Sequence, residues 1–140
     1  METKGKIQFI LDNKVDELSL LSAKVETMAD LWDFSESLTM NLNLVLEEAI
    51  SNIVFYAFNN EDEQKIYLTI EYDDDTLTAL IMDCGIPFDP TRQAAPDITL
   101  PAEERTIGGL GIFLINKLMD HVEYCRKENM NILTLKKRIK

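Results

Sequence analysis

Residues 66–82 read IYLTIEYDDDTLTALIM and contain the element from which the fold can be worked out. Apolar residues occupy every second position from Ile66 to Tyr72, which is the period of a strand with one buried face. The acidic run at residues 73–75 is a polar turn, and residues 77–82 form a second strand. The stretch therefore predicts a hairpin of two paired strands.

Two amphipathic helices precede this hairpin in the chain. Over residues 14–34 the apolar side chains recur at steps of three and four, which is helical spacing. Ser35 or Ser37 can cap the next helix, which is expected over about residues 38–58. A short strand over residues 6–11 comes before both helices.

A long loop follows the hairpin, and one helix and two strands complete the chain. Residues 84–107 contain Gly85 and all four prolines, which disfavour regular helix there. A loop of this length inside a compact domain is uncommon and is usually functional or mobile. A third helix is expected over residues 110–119, and two strands over residues 122–126 and 132–137.

The predicted order of elements is β-α-α-β-β-loop-α-β-β. The 140 residues suit one domain, and they cannot supply helices for both faces of so large a sheet. We therefore expect an α/β (α+β) fold, a two-layer sandwich whose sheet is mixed but mostly antiparallel and whose helices lie on one face. The hydrophobic content of 46% is that of an ordinary globular protein and argues against disorder.

The chain is strongly acidic, with a formal net charge of −11. Such a surface repels phosphate backbones and anionic lipids, so we expect no direct nucleic-acid partner and no membrane partner. The apolar segments are too short, or too interrupted by polar residues, to be a signal peptide or a membrane span. Cys84 and Cys125 have no metal-ligand spacing. A cytoplasmic protein with reduced thiols is therefore expected.

Three short segments carry residues that can perform chemistry. Glu48 and Asn52 lie four residues apart and share one helix face, where a carboxylate and an amide can act as a general base and an Mg²⁺ ligand. Asp83 ends a strand and is followed by Gly85, so its carboxylate either faces a pocket or forms a turn. Residues 108–111 (GGLG) precede a helix whose free N–H groups can bind phosphate. Taken alone, each segment also has an ordinary structural interpretation.

Two basic residues, Arg105 and His121, lie near the third helix. Arg105 precedes the glycines and can meet a terminal phosphate if the loop folds inward, or it can remain a loop cation beside Glu103 and Glu104. His121 is the only histidine of the chain, and no metal partners accompany it in the sequence. We expect a structural role for His121.

The order of these segments is similar to that of a known superfamily. The segments EAISN (48–52), DCGIPFDP (83–90) and GGLGI (108–112) resemble the N, G1 and G2 boxes of the GHKL, or Bergerat-fold, ATPases. Within that superfamily the chain most resembles the anti-sigma-factor serine/threonine kinases of bacterial partner-switching systems, especially over residues 100–124. The resemblance implies a single histidine-kinase-like ATPase domain over residues 1–140, with an ATP lid at about residues 91–107.

The resemblance also implies roles for individual residues. Asp83 would accept a hydrogen bond from the adenine amino group, Asn52 would bind the Mg²⁺ that bridges the triphosphate, and Glu48 would be the general base on the acceptor hydroxyl. Arg105 would be a second catalytic residue and meet the transferring phosphoryl group. The remaining nucleotide contacts would come from Gly85, Gly108, Gly109, Leu110, Gly111 and Thr134.

The function implied by this resemblance is that of an ATP- and Mg²⁺-dependent serine/threonine protein kinase that is also an anti-sigma regulator. Its substrate would be a Ser or Thr of a STAS-domain antagonist protein, and its other partner a sigma factor or another regulator. The first strand and first helix are our candidates for a homodimer contact. Two alternatives stay open from the sequence: a nucleotide-gated protein-binding module without kinase activity, and a structural α/β domain whose motifs are accidental.

Overall fold

The computed structural model describes residues 3–57, 64–92 and 109–139, and these residues follow the predicted order of elements. The strands are β1 (Gly5–Asp12), β2 (Lys65–Tyr72), β3 (Thr76–Asp83), β4 (His121–Lys127) and β5 (Met130–Arg138). The helices are α1 (Glu17–Leu31), α2 (Glu36–Asn52) and α3 (Gly109–Leu118). A turn of π-helix (Ile53–Ala57) follows α2, and a turn of 3₁₀-helix (Pro90–Arg92) follows β3. Residues 93–107 of the predicted lid lie outside the described residues.

The five strands form one sheet in the order β1-β2-β3-β5-β4. Every neighbouring pair of these strands is antiparallel, so the prediction of a mostly antiparallel sheet is confirmed. Asp83, at the end of β3, lies directly opposite Asn131 in β5. The turn between β4 and β5 contains Glu128 and Asn129, whose φ angles of 53° and 63° are typical of a two-residue hairpin turn.

The helices cover one face of this sheet. In β2 the side chains of Ile66, Leu68 and Ile70 are fully buried, whereas the residues between them are partly exposed. The buried side chains of α2 join the same core, and α2 packs against both α1 and α3. The molecule is therefore the two-layer α+β sandwich that the sequence predicted.

The two ends of α2 have different backbone geometries. At the start, Oγ of Ser35 accepts a hydrogen bond from the N–H of Leu38 at 3.1 Å, which satisfies one free donor of the first turn. At the other end, the π-helical turn begins directly after Asn52. Wide turns of this kind occur frequently at functional sites. The helix therefore changes its geometry next to a residue that the sequence predicts to be functional.

An aromatic cluster packs against the start of β1. The rings of Trp32, Phe34 and Tyr72 have centroids 4.8–5.7 Å apart. A Cβ atom built on Gly5 would lie 2.5 Å from Cε1 of Tyr72 and 2.7 Å from Cε2 of Trp32. Side chains do not approach one another so closely, so only glycine fits at this position without displacing the rings.

We expect Gly5→Ala to destabilise the domain by about 1–3 kcal/mol, because the added methyl group overpacks the aromatic cluster. Lys6→Ala is the matched control, since Lys6 is exposed and should tolerate the change within about 0.5 kcal/mol. Urea unfolding, followed by the fluorescence of Trp32, measures the free energy of unfolding of both variants. Equal stabilities of the two variants would contradict the packing argument.

Two further observations concern membrane-spanning helices and the two cysteines. In residues 3–57, 64–92 and 109–139, no helix combines the length and the apolar character that a membrane span requires. Cys84 and Cys125 are both exposed, and neither forms a disulfide bond.

Candidate functional site

A pocket opens where α2, α3 and the ends of three strands meet. It holds about 390 Å³ of space free of protein atoms, part of it open to solvent. Among the described residues three polar side chains are buried, Asn52, Asp83 and Asn131, and all three line this pocket. An apolar pocket with a few convergent polar groups is typical of a small-molecule site. Its other lining residues are Ala49, Ile53, Ile81, Phe88, Pro90, Ile115, Tyr124 and Leu133.

Asp83 presents a carboxylate to the pocket and is 2% exposed. Its Oδ1 accepts hydrogen bonds from the N–H of Gly85 at 2.8 Å and from Nδ2 of Asn131 at 3.0 Å. No donor among the described residues reaches its Oδ2. Burial raises the pKa of Asp83, and the hydrogen bonds from Asn131 and Gly85 oppose that rise. One oxygen of this buried carboxylate is therefore available to accept a hydrogen bond from a ligand.

Asn52 and Glu48 lie one helical turn apart on α2 but have different surroundings. Asn52 is 6% exposed, and its Nδ2 has no hydrogen-bond partner among the described residues. A buried amide without a partner points to a polar group that binds there. Glu48 is half-buried, and its pKa is raised by burial and by the charge of Glu47. Asn52 does not lie on a solvated helix face, because residues of β3 and α3 enclose that end of α2.

The donor set of the pocket fits a magnesium ion that binds together with a phosphate ligand. Mg²⁺ usually takes one or two protein oxygens and completes its octahedron with substrate phosphates and water. Nδ2 of Asn52, which has no partner among the described residues, can donate a hydrogen bond to a phosphate oxygen of such a ligand but cannot itself bind a cation. The part of the chain that the structure describes contains no cluster of three or more His, Cys, Asp or Glu side chains suited to a metal. Of the Asn52 side chain, Oδ1 is the atom that would ligate the ion, with phosphate and water completing its coordination.

The glycine-rich segment forms the start of α3. The backbone of Gly109, Leu110 and Gly111 makes its first turn, where N–H groups lack helical partners and the helix dipole favours an anion. The same helix contributes Ile115 to the pocket. The sequence therefore correctly predicted a helix entry at these glycines. Arg105 and Gly108 lie outside the described residues.

The structure places the side chain of Thr134 away from the pocket. In β5 the side chains of Asn131 and Leu133 line the pocket, so the strand period of two directs Thr134 to the other face of the sheet. The register of β3 and β5 pairs Asp83 with Asn131 and Leu80 with Thr134. A signal for Asn131 exists in the sequence: it is the polar member of an alternating series that continues with Leu133 and Leu135.

Tyr124 and Phe88 also belong to the site and were not singled out from the sequence. Tyr124 lies on β4, and Phe88 lies in the segment that follows β3. The Tyr124 hydroxyl and the Phe88 N–H both donate hydrogen bonds to Oδ1 of Asn131. Phe88 lies within the segment of residues 83–90 and Tyr124 ends the segment of residues 100–124, but only the folded sheet brings the two residues together.

Comparison with known proteins identifies the class to which this fold and pocket belong. Residues 11–137 match the histidine kinase-like ATPase domain family, and the chain belongs to that family. Family membership implies that the domain binds ATP. The predicted GHKL, or Bergerat-fold, architecture is thereby confirmed.

Two individual relatives show which proteins the chain is similar to over most of its length. The chain is 29% identical to the serine-protein kinase RsbW of Bacillus cereus, in an alignment that covers 97% of this chain and 87% of the relative. RsbW of Bacillus thuringiensis subsp. konkukian has the same identity and coverage. The resemblance to the anti-sigma-factor serine/threonine kinases, predicted from the motifs, is therefore confirmed across nearly the whole chain.

Proposed function

We propose that the protein is an ATP- and Mg²⁺-dependent serine/threonine protein kinase and an anti-sigma regulator in a partner-switching system. The observation that carries this proposal is the convergence of Asn52, Asp83 and Asn131 as buried polar side chains in one otherwise mainly apolar pocket. The pocket occurs in a chain of the ATPase family that resembles serine-protein kinases over almost its full length.

In this proposal the adenine ring occupies the apolar pocket and meets Asp83. The free Oδ2 accepts a hydrogen bond from the exocyclic amino group, while Oδ1 stays bonded to the N–H of Gly85. Gly85 has no side chain and allows the base to approach. Guanine carries a carbonyl oxygen where adenine carries the amino group, and a carboxylate oxygen repels it. The site therefore selects ATP over GTP.

The phosphates extend from the adenine pocket toward the glycine-rich segment. Gly109, Leu110 and Gly111 contribute backbone N–H groups, and Arg105 and Gly108 act from the preceding segment. Asn52 would hold the magnesium ion through its side-chain Oδ1. When bound, that ion offsets the charge of the triphosphate, which a chain of net charge −11 otherwise repels.

Glu48 is the general base of the proposed reaction. It lies one helical turn from Asn52, and its raised pKa makes the carboxylate a stronger base than an exposed glutamate. It accepts the proton of the acceptor hydroxyl as that oxygen forms a bond to the γ-phosphorus, while the bond from that phosphorus to the bridging oxygen breaks and ADP leaves. Correct positioning and charge neutralisation supply most of the catalysis in reactions of this type.

The acceptor in our proposal is a Ser or Thr of a STAS-domain antagonist in the cytoplasm. The phosphate it gains disrupts the docked interface through charge and desolvation, which frees the kinase to hold a sigma factor or another regulator. A homodimer is also proposed. β1 lies at one edge of the sheet, so its outer backbone groups are available to a second copy.

Transfer of labelled phosphate tests the proposed function. Purified protein is incubated with γ-labelled ATP, Mg²⁺ and a purified STAS-domain protein, and the acceptor is located by mass spectrometry. The expected result is phosphate on a single Ser or Thr, with no transfer when Mg²⁺ is chelated. Binding of ATP that changes complex formation, without any transfer, would instead support the nucleotide-gated binding module.

The rate of transfer should also depend on pH through Glu48. Because its pKa is raised above the ordinary value of 4.5, activity should fall as the pH decreases through a midpoint above that value. Glu47→Gln removes the adjacent charge, lowers the pKa of Glu48 and should move the acid limb to lower pH. The measurement is kcat/KM for the acceptor protein as a function of pH.

Glu26→Gln is the control for this pH prediction. It makes the same charge change at an exposed position of α1, and Glu26 does not contribute to the raised pKa of Glu48. Its acid limb should coincide with that of the wild type. If Glu47→Gln also leaves the limb in place, Glu48 is not the group that titrates.

A further inference from the structure

Asn131 makes four hydrogen bonds around the end of β3. Its Nδ2 donates to Oδ1 of Asp83 at 3.0 Å and to the carbonyl oxygen of Ile86 at 2.8 Å. Its Oδ1 accepts from the hydroxyl of Tyr124 at 2.5 Å and from the N–H of Phe88 at 3.3 Å. A carboxamide has two donor hydrogens and two acceptor lone pairs, so all of its hydrogen-bonding capacity is used within the protein.

These partners determine the orientation of the amide. The carboxylate of Asp83 and the carbonyl of Ile86 can only accept, and the N–H of Phe88 can only donate. Rotating the amide by half a turn would place its oxygen against two acceptors and its nitrogen against a donor. Asn131 is therefore a link of fixed orientation between β5, the end of β3 and the turn that follows.

The same turn is also held from β4. Nη1 of Arg126 donates to the carbonyl oxygen of Gly85 at 2.7 Å, and the Tyr124 hydroxyl supports Asn131 from the same strand. Bonds from β4 and β5 thus connect two neighbouring strands to the segment that carries Asp83. Because β3, β5 and β4 are neighbours in the sheet, the backbone hydrogen bonds of the sheet hold the strands that carry these residues.

The hydrogen bonds give the two oxygens of Asp83 different roles. Oδ1 accepts from Gly85 and Asn131, and no described donor reaches Oδ2. The direction of Oδ2 is therefore set by the protein before any ligand binds. A fixed acceptor increases the affinity for a ligand that donates a hydrogen bond at that point. It decreases the affinity for a ligand that places a second acceptor there.

We propose that Asn131, supported by Tyr124, is a positioning residue that aims Asp83 and thereby sets the preference for an amino-bearing purine over a keto-bearing purine. It acts through Asp83, since its own hydrogen-bonding groups are all used within the protein and none is left for the nucleotide. This inference rests on the proposed nucleotide site and deepens it, since it assigns the selectivity of that site to two residues outside the three sequence boxes.

Asn131→Asp tests this role without changing the size of the side chain. The variant keeps an acceptor for Tyr124 and Phe88 but loses the donor to Asp83, so two carboxylates face each other. At pH 8 we expect ATP affinity to fall roughly 10- to 100-fold, with a matching loss of the ATP/GTP preference. At lower pH the two carboxylates share a proton, which restores a donor between them. ATP affinity relative to the wild type should then recover.

Three further variants complete this experiment. Tyr124→Phe removes only the hydroxyl that supports Asn131 and should reduce the ATP/GTP preference in the same direction but by less. Asn129→Asp makes the same charge change in the exposed β4–β5 turn and should bind ATP as the wild type does. Asp83→Asn tests whether ATP binding depends on the pocket at all. ATP and GTP affinities are measured by titration calorimetry, and circular dichroism confirms that each unliganded variant is folded.

The outcomes separate the inference from the function on which it rests. If Asp83→Asn loses ATP while Asn131→Asp and Tyr124→Phe keep wild-type affinity and preference, the positioning role is overturned and the nucleotide site stands. A loss of affinity in Asn131→Asp that does not recover at low pH also overturns the positioning role. If the wild type does not bind ATP, the proposed function fails and the inference fails with it.

Discussion

Replacing Asp83 by Asn is expected to abolish ATP binding without destabilising the unliganded domain. The new side chain keeps an Oδ1 that can accept from the N–H of Gly85 and from Nδ2 of Asn131, so both hydrogen bonds persist. An NH₂ group replaces the free oxygen and meets the adenine amino group as a second donor. The change also removes the cost of burying a charge, so the free energy of unfolding should stay the same or increase.

The raised pKa of Asp83 makes the stability of the domain depend on pH. A carboxyl whose pKa is raised by burial is most favourable when protonated, so its contribution to stability is lost as the pH rises from the ordinary value of 3.8 through the raised pKa. Asp83→Asn has no such group. The stability advantage of the variant over the wild type should therefore be larger at neutral pH than at acid pH.

Thermal unfolding with and without Mg²⁺ and ATP measures the effect on binding. At a ligand concentration of 100 times Kd the wild type should gain about 2.7 kcal/mol, which raises the Tm, and Asp83→Asn should gain nothing. Asp16→Asn is the control, since Asp16 is exposed and makes no side-chain capping bond at the start of α1. An undiminished ATP-induced rise in the Tm of Asp83→Asn would refute the role of Asp83 in binding adenine.

Glu48→Gln should reduce phosphoryl transfer by about 10²- to 10⁴-fold, which is the range for loss of a general base. ATP affinity should change little, because the proposed contacts to the base and the metal come from Asp83 and Asn52. Glutamine is similar in size to glutamate but cannot take up the proton of the acceptor hydroxyl at neutral pH. The measurement is the single-turnover rate of transfer from γ-labelled ATP to the STAS-domain protein.

The neighbouring residue provides the control for Glu48. Glu47 is exposed on the same helix, and Glu47→Gln makes the same charge change one position earlier. It should retain most of the transfer rate at neutral pH. If Glu48→Gln transfers phosphate as fast as Glu47→Gln, catalysis does not depend on a base at position 48. Together the Asp83 and Glu48 variants separate nucleotide binding from chemistry.

The order and type of the elements could be predicted from the sequence because their signals are local. The period of two over residues 66–72 and the steps of three and four over residues 14–34 arise within single elements. Ser35 caps α2 through a hydrogen bond to a residue three positions away, which is also a local interaction. Two of the buried pocket residues, Asp83 and Asn52, could be proposed as well, because each stands in a segment with a recognisable motif.

The sequence by itself thus determined the elements, the hairpin and two of the three buried polar residues of the pocket. Only the tertiary structure decided that Asn131 rather than Thr134 faces Asp83, and that Asn52 is buried rather than solvated. The physical reason is that the residue opposite Asp83 depends on the register between β3 and β5. These two strands are separated in the chain by the 46 residues from 84 to 129. The alternation with Leu133 and Leu135 indicates which face of β5 carries Asn131, but no local pattern shows that Asn131 lies opposite Asp83.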